Sequence, residues 1–311
     1  MRNPEPVKAP AGSDTGARVM LVVLCLIWGT TWPIIKIALT EIDPLSMRTC
    51  TYAVGTLTLA VICAVARRSF RIPNLRTWGH VFVASMLNIV AFPLLTAFGQ
   101  MATTTSRVSI LAYTMPIWSV VLAWVFLGEH LTRMQVIAVV LCATGLTILI
   151  YPLTTNGVPL GVVLTIIAAV SWAGGTIYLK WAHIDADPVG GAVWQLVMAF
   201  FVVAGFTLLY QGGVTYSGAH IKAVSAMILS GMMGTGIAYG LWFAIVRRLP
   251  ASTASLGVLS VPVVGVVMSM ILLGERLTPA DVVGFTLIFA ASACVLLSPQ
   301  APAPKEAPQA T

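Results

Sequence analysis

Apolar runs of about 20 residues alternate with short polar breaks along almost the whole chain. Ten can be counted, at 19–40, 44–66, 77–98, 104–127, 132–151, 158–181, 188–210, 221–246, 251–273 and 279–297. A bilayer core about 30 Å thick is crossed by roughly 20 apolar residues in helical form. The pattern therefore predicts an all-α integral membrane protein with ten transmembrane helices. The first run follows Arg18 and a polar segment containing Pro and Gly, superficially like a signal peptide. A signal's apolar region spans only about 7–15 residues, so this run is expected to be a retained helix. The flanks, 1–17 and 298–311, are poor in large apolar groups and are expected to be disordered cytoplasmic tails.

Composition agrees. With 58% hydrophobic and 9% charged residues and a mean hydropathy of +0.94, the chain carries too much apolar surface for one water-soluble domain. If the N-terminus is cytoplasmic, five of the 17 Lys and Arg residues fall on the far side: Lys36, Arg48, Arg107, Lys222 and Arg276. The other twelve fall inside, so both termini are expected there. The net charge of +7 is then membrane-surface charge, and no nucleic-acid partner is needed to explain it. Cys25, Cys50, Cys63, Cys142 and Cys294 lie within apolar runs without close-spaced pairs. They read as core or lipid-facing residues, not disulfides or metal ligands.

LGEHLT at 127–132 returns as LGERLT at 273–278, 146 residues later. LCLIWGTTWPIIKIAL (24–39) aligns with AAVSWAGGTIYLKWAH (168–183), matching Trp28 to Trp172 and Lys36 to Lys180; Asp43-Pro44 matches Asp187-Pro188, Phe92 matches Tyr239, and Pro116 matches Pro262. A five-helix unit has been duplicated, over 18–151 and 158–297. Because five is odd, the second copy is expected to enter the membrane from the opposite side. Inverted repeats are a recurrent architecture of secondary transporters, which rock one half against the other around a midplane site.

The repeated hexapeptide itself reads as a capped hairpin. Thr132 with Gln135 and Thr278 with Asp281 have capping-box spacing, Pro279 suits a first helical residue, and Gly128 and Gly274 suit left-handed helix ends. Glu129 and Glu275 are expected in the turn near the N-terminus of the following helix, a structural role.

Each copy carries Trp, two small residues and a Lys eight positions after the Trp, then P-x(10)-L-G-E-x-L-T. On these motifs, over roughly 19–297, the chain resembles the drug/metabolite transporter superfamily, in the branch with tandem EamA domains. The resemblance implies a bacterial inner-membrane exporter of amino acids and related metabolites.

Candidate lining residues follow from the pattern. Ser85, Asn88, Phe92, Thr96 and Gln100 form a polar stripe at spacings of three and four on the third helix, and Met232, Thr235, Tyr239 and Trp242 form its counterpart on the eighth. Polar side chains in membrane helices face the bundle interior, where they line a path or hydrogen-bond between helices. Trp28 and Trp172 stand halfway along their helices, facing either a cavity or a packed seam; Trp32 lies one turn beyond Trp28. Pro116 and Pro262, with Tyr113 just before the first, are expected to break helices four and nine in mid-membrane. Lys36 and Lys180 lie near helix ends, either snorkelling to headgroups or offering a cation to a substrate carboxylate.

Every Asp and Glu falls in a tail, loop or helix end, which weighs against a buried carboxylate relay and against polycation export. The walls suit a zwitterion or weak acid with an apolar body, most of all an aromatic or other hydrophobic amino acid as the small-molecule substrate. Amphiphilic drugs, nucleotide sugars and lipids are rival cargoes, and an integral-membrane enzyme is the rival class. HIDAD at 183–187 gathers His183, Asp185 and Asp187, but Asp187 matches Asp43 and precedes Pro188, so an N-cap is expected there rather than a metal site. No metal, cofactor or catalytic motif is read from the chain. Oligomeric state is left open.

Overall fold

The computed structural model describes residues 15–128, 131–153, 159–182, 186–216, 218–246, 248 and 258–297. Among them all regular structure is helical. Eight helices are long and apolar enough to cross a membrane, and two shorter apolar ones lie at Ser260–Leu273 and Pro279–Val295. In chain order the elements are α1 (Thr15–Ala38), α2 (Pro44–Val65), α3 (Leu75–Ala102), α4 (Thr105–Ala112 and Met115–Leu127) and α5 (Arg133–Ile150). They continue as α6 (Leu160–Ala182), α7 (Pro188–Gln211), α8 (Ile221–Leu229, Ser230–Ile237 and Ala238–Val246), α9 (Ser260–Leu273) and α10 (Pro279–Leu297). The described part of the first helix runs from Thr15; 1–14 and 298–311 lie outside the described residues.

The starts of α2 and α7 show why the repeated Asp-Pro matters. Proline supplies a preset φ and lacks only an N–H that would have gone unpaired, while the aspartate caps the donors that follow. Asp43 Oδ1 accepts from Leu45 N at 3.0 Å and Ser46 N at 2.9 Å, and Asp187 Oδ1 from Val189 N at 2.9 Å and Gly190 N at 3.2 Å. Each cap also ties down the far end of the other helix. Asp43 accepts from Gln211 Nε2 at 2.8 Å and Thr215 Oγ1 at 2.9 Å, and Asp187 pairs with Arg68 at 2.5 Å. Burial opposes ionisation of Asp43, but hydrogen bonds from Ser46, Gln211 and Thr215 outweigh it and hold the carboxyl below its ordinary range. Asp187 is thus a cap and ion-pair partner; His183 and Asp185, the rest of the HIDAD cluster, lie outside the described residues.

Packing follows a reciprocal scheme. α1 lies against α8 and α9, while α6 lies against α3 and α4; α2 packs on α7 and α8, α7 on α2 and α3, and α5 on α10. Gly145 and Gly284 let the last pair approach closely: a Cβ on either would come about 3 Å from the other's carbonyl, at 2.9 and 3.0 Å. Small residues at such seams gain dispersion contacts where lipid supplies no hydrophobic drive.

Two helices depart from α geometry in their middles. Ser85–Ala91 of α3 and Ser230–Ile237 of α8 are π-helical, 145 residues apart at their starts. The expected α spacing of the stripe on the third helix is therefore interrupted, because the wider turn shifts the residues that follow. α4 breaks at Tyr113 and Thr114, just before Pro116, and the described part of α9 has a turn at Leu259, just before Pro262. Residues 251–257, the expected start of the ninth span, lie outside the described residues.

Both hairpin caps form. Thr132 N donates to Gln135 Oε1 at 2.8 Å while Gln135 N donates to Thr132 Oγ1 at 3.3 Å. At the second site Thr278 N donates to Asp281 Oδ2 at 2.8 Å and Asp281 N returns a bond to Thr278 Oγ1 at 3.2 Å. Gly128 and Gly274 have φ of +65° and +67°, the left-handed ends that glycine takes without strain.

Candidate functional site

The irregular segments meet the Trp-bearing helices at two crossings. At the first, Trp28 Nε1 of α1 donates to the Gly234 carbonyl of α8 at 3.2 Å. The same ring stands edge-on to Tyr239 at 6.5 Å and tilted to Trp242 at 5.9 Å. Thr31 fills the space that a Cβ on Gly234 would need. At the second, Ser171 Oγ of α6 donates to the Leu87 carbonyl of α3 at 2.9 Å, and Trp172 stands edge-on to Phe92 at 4.9 Å. Here Asn88 fills the space beside Gly175. Repeat mates thus sit in corresponding places: Trp28 meets Tyr239, Trp172 meets Phe92, and each pair joins one half to the other.

The π turns explain why side chains converge there. A π stretch or a proline leaves carbonyls without their usual i+4 donor, and in a membrane these must be satisfied by neighbouring groups or line a cavity. Pro93 removes the donor for Ile89, and the Tyr52 hydroxyl takes its place. Asn88 Oδ1 is buried without a hydrogen-bond partner, an acceptor left open in the centre of α3.

A third cluster closes one end of the bundle. Glu275 stands in the hairpin turn, but its carboxylate is engaged by another helix. It accepts from Thr105 N at 2.7 Å and from Ser106 N and Oγ at 2.8 and 2.6 Å, which caps α4 of the other half. The reason is that the N-terminus of α10 is already served by Thr278 and Asp281, whereas α4 begins with unpaired donors. Asp281 also pairs with Arg107, Nε to Oδ1 at 2.7 Å. Lys36 Nζ donates to the Gln100 carbonyl. With Arg107, Glu275, Met101, Thr103 and Thr104 it lines an open cleft of about 530 Å³. Glu129 and the Lys180 side chain, their repeat counterparts, lie outside the described residues.

The remaining candidates act elsewhere. The Trp32 carbonyl accepts from Gln100 Nε2 at 3.4 Å, and its ring packs on Gly265 of α9. Thr235 is turned to α2, where it presses on Gly55. Tyr113 sits at the α4 break, and its carbonyl accepts from Ser292 Oγ at 3.1 Å. Pro116 opens the second piece of α4, and Pro262 is buried in α9. Of the stripe, Ser85 Oγ donates to the Gln195 carbonyl at 2.6 Å, an interhelical bond, while Thr96 and Gln100 are buried.

Sequence reasoning missed Arg48. It lies in the apolar run 44–66, one turn from Pro44 and four residues before Tyr52, where a charge near a helix end reads as a loop or headgroup residue. In the fold it is 6% exposed.

A sequence profile of the EamA-like transporter family matches the chain twice, over residues 16–151 and 159–297. A protein of Bacillus subtilis named an uncharacterized transporter, YoaV, is 24% identical over 87% of this chain and 94% of its own length. A protein of Escherichia coli named a probable amino-acid metabolite efflux pump is 27% identical over 87% and 91%. One of Streptantibioticus cattleyicolor named a probable terminal-alkyne amino-acid exporter is 22% identical over 86% and 89%. Among solved structures, one crystal structure superposes with a TM-score of 0.63 at 18% identity, covering 91% of this chain and 96% of that one; the likeness is one of fold.

Proposed function

Because the chain belongs to the EamA-like transporter family, with EamA domains in tandem, we propose that it exports aromatic or other hydrophobic amino acids by alternating access between two inverted five-helix repeats. Family and relatives indicate a multi-pass membrane transporter rather than an enzyme. The observation that carries the cargo and mechanism is the pair of matched crossings. Each sets aromatic rings beside irregular backbone, so apolar burial can supply affinity while a few polar groups orient the cargo. Relatives named for amino-acid efflux or export support the same cargo class.

In this scheme the halves exchange roles about the two crossings. The end bearing Lys36, Arg107 and Glu275 lies on the periplasmic side of the bacterial inner membrane, and both termini are cytoplasmic. A C-terminal phosphatase fusion, active only in the periplasm, is expected to be silent; an active one would overturn this orientation. By the 146-residue offset Arg107 and Asp281, which form an ion pair, correspond to the uncharged Thr253 and Gln135.

The crossings are tested by Trp172→Ala, Tyr239→Ala and Asn88→Ala, assayed for efflux from proteoliposomes. Each is expected to lower flux by about tenfold, in line with the loss of 1–2 kcal/mol of contact, with membrane insertion unchanged. Full flux in all three would remove the crossings from the path.

A further inference from the structure

α2 carries a cation that the described residues leave unanswered. The Arg48 guanidinium is buried, and its Nε is enclosed without an acceptor. It takes no part in the ion pairs among the described residues, which join Arg68 to Asp187, Arg107 to Asp281 and His220 to Glu41. The nearby carboxylates are committed elsewhere, Glu41 to His220 and Asp43 to Ser46, Gln211 and Thr215. The groups that feel its charge are the hydroxyl-bearing rings of Tyr52 and Tyr239. Tyr52 is one turn deeper on α2, and Tyr239 is the ring that meets Trp28 at the first crossing.

A buried guanidinium is costly in a bilayer unless something neutralises it, and charged groups in membrane helices mark ligand paths. Packing alone does not require it. The offset of 144 that joins Asp43 to Asp187 takes Arg48 to Ala192, Tyr52 to Leu196 and Leu59 to Val203. That stripe of α7 is buried and wholly apolar, so the equivalent seam closes without a charge. Lys36 is a weaker candidate for the same task, because the Gln100 carbonyl and the Glu275 charge already answer it.

We infer that Arg48 is the binding residue for the carboxylate of the transported molecule, whose apolar body lies on Trp28, Tyr239 and Trp242; the assignment rests on the transport reading above. The planar fork of guanidinium donors matches a carboxylate with two parallel hydrogen bonds, which an ammonium cannot reproduce. No covalent step is involved.

The test is a thermal-shift titration of the purified full-length protein with L-tryptophan, indole-3-acetate and L-tryptophanamide, repeated on Arg48→Met and Arg48→Lys. The parent is expected to bind the two carboxylates about 10- to 100-fold more tightly than the amide. Arg48→Met is expected to lose that preference while binding the amide unchanged, and Arg48→Lys to keep part of it. A parent with no preference for carboxylates, or an Arg48→Met protein that retains it, overturns the assignment. If Arg48→Met does not fold, Arg48→Lys carries the comparison, and a full preference there overturns it equally. Efflux separates the two ideas: carboxylate preference without flux sinks the transport reading alone, whereas unaltered tryptophan flux in Arg48→Met sinks the role of Arg48 alone.

Discussion

Glu275→Ala is expected to slow efflux at least about tenfold and to leave the Lys36 end of the bundle standing open. Three hydrogen bonds from Thr105 and Ser106 converge on this carboxylate from the other half of the protein. Bonds to a charged group contribute roughly 1.5–3 kcal/mol each, and 1.4 kcal/mol is a factor of ten in a two-state equilibrium. Losing the equivalent of one such bond shifts the closed state about 10- to 100-fold toward open, and a transporter held on one side cycles slowly. Ser109, fully buried on α4 beneath the cap, reports the change. In a background with the five native cysteines replaced, Ser109→Cys is expected to react slowly with a membrane-impermeant thiol reagent, and much faster once Glu275→Ala is added. Glu275→Gln, which keeps one acceptor oxygen, falls between. Equal labelling in all three proteins would mean that the cap does not hold the halves together.

Gly175→Ala is expected to abolish most flux by displacing Asn88, not by unfolding α6. A Cβ at position 175 would stand 1.9 Å from Asn88 Oδ1 and 2.5 Å from its Cγ, closer than any tolerated contact. Overpacking of this kind costs about 1–3 kcal/mol if the backbone must yield, but here a side chain can swing away. The amide would then leave the seam between α3 and α6. Because the two substitutions act through one contact, they should not add. Asn88→Ala combined with Gly175→Ala is expected to match Asn88→Ala alone in efflux assays. A double variant slower than either single one would show that Gly175 serves another contact.

What the sequence discloses here is periodic and local. The duplicated unit shows as motifs recurring at a fixed offset, and the Asp-Pro caps of α2 and α7, the two capped hairpins and the break before Pro116 depend on residues a few positions apart. The π turns are different. Ser230–Ile237 holds three glycines but Ser85–Ala91 holds none, so composition does not mark the pair, and their open carbonyls are met by Ser171, Tyr52 and Trp28 from other helices. Glu275 was legible as a carboxylate in the hairpin turn but not as a cap for α4, since that partner lies 170 residues away in sequence and is brought to it only by packing. Arg48 was hidden by the same charge-counting that orients the chain: a cation near a helix end looks like headgroup contact until its burial is known. The candidate site was therefore legible as a set of residues, with the exchange of Trp28 and Trp172 partners between halves supplied by the fold.

Proteoliposomes loaded with radiolabelled tryptophan, leucine, glutamate, a nucleotide sugar or a fluorescent phospholipid, with and without a pH gradient, address transport most directly. The account predicts saturable efflux of tryptophan and leucine, well above that of the other three cargoes, and its loss in the combined Trp28→Ala and Trp172→Ala protein. Selective movement of the nucleotide sugar or the lipid, or amino-acid efflux no faster than from empty vesicles, would contradict it.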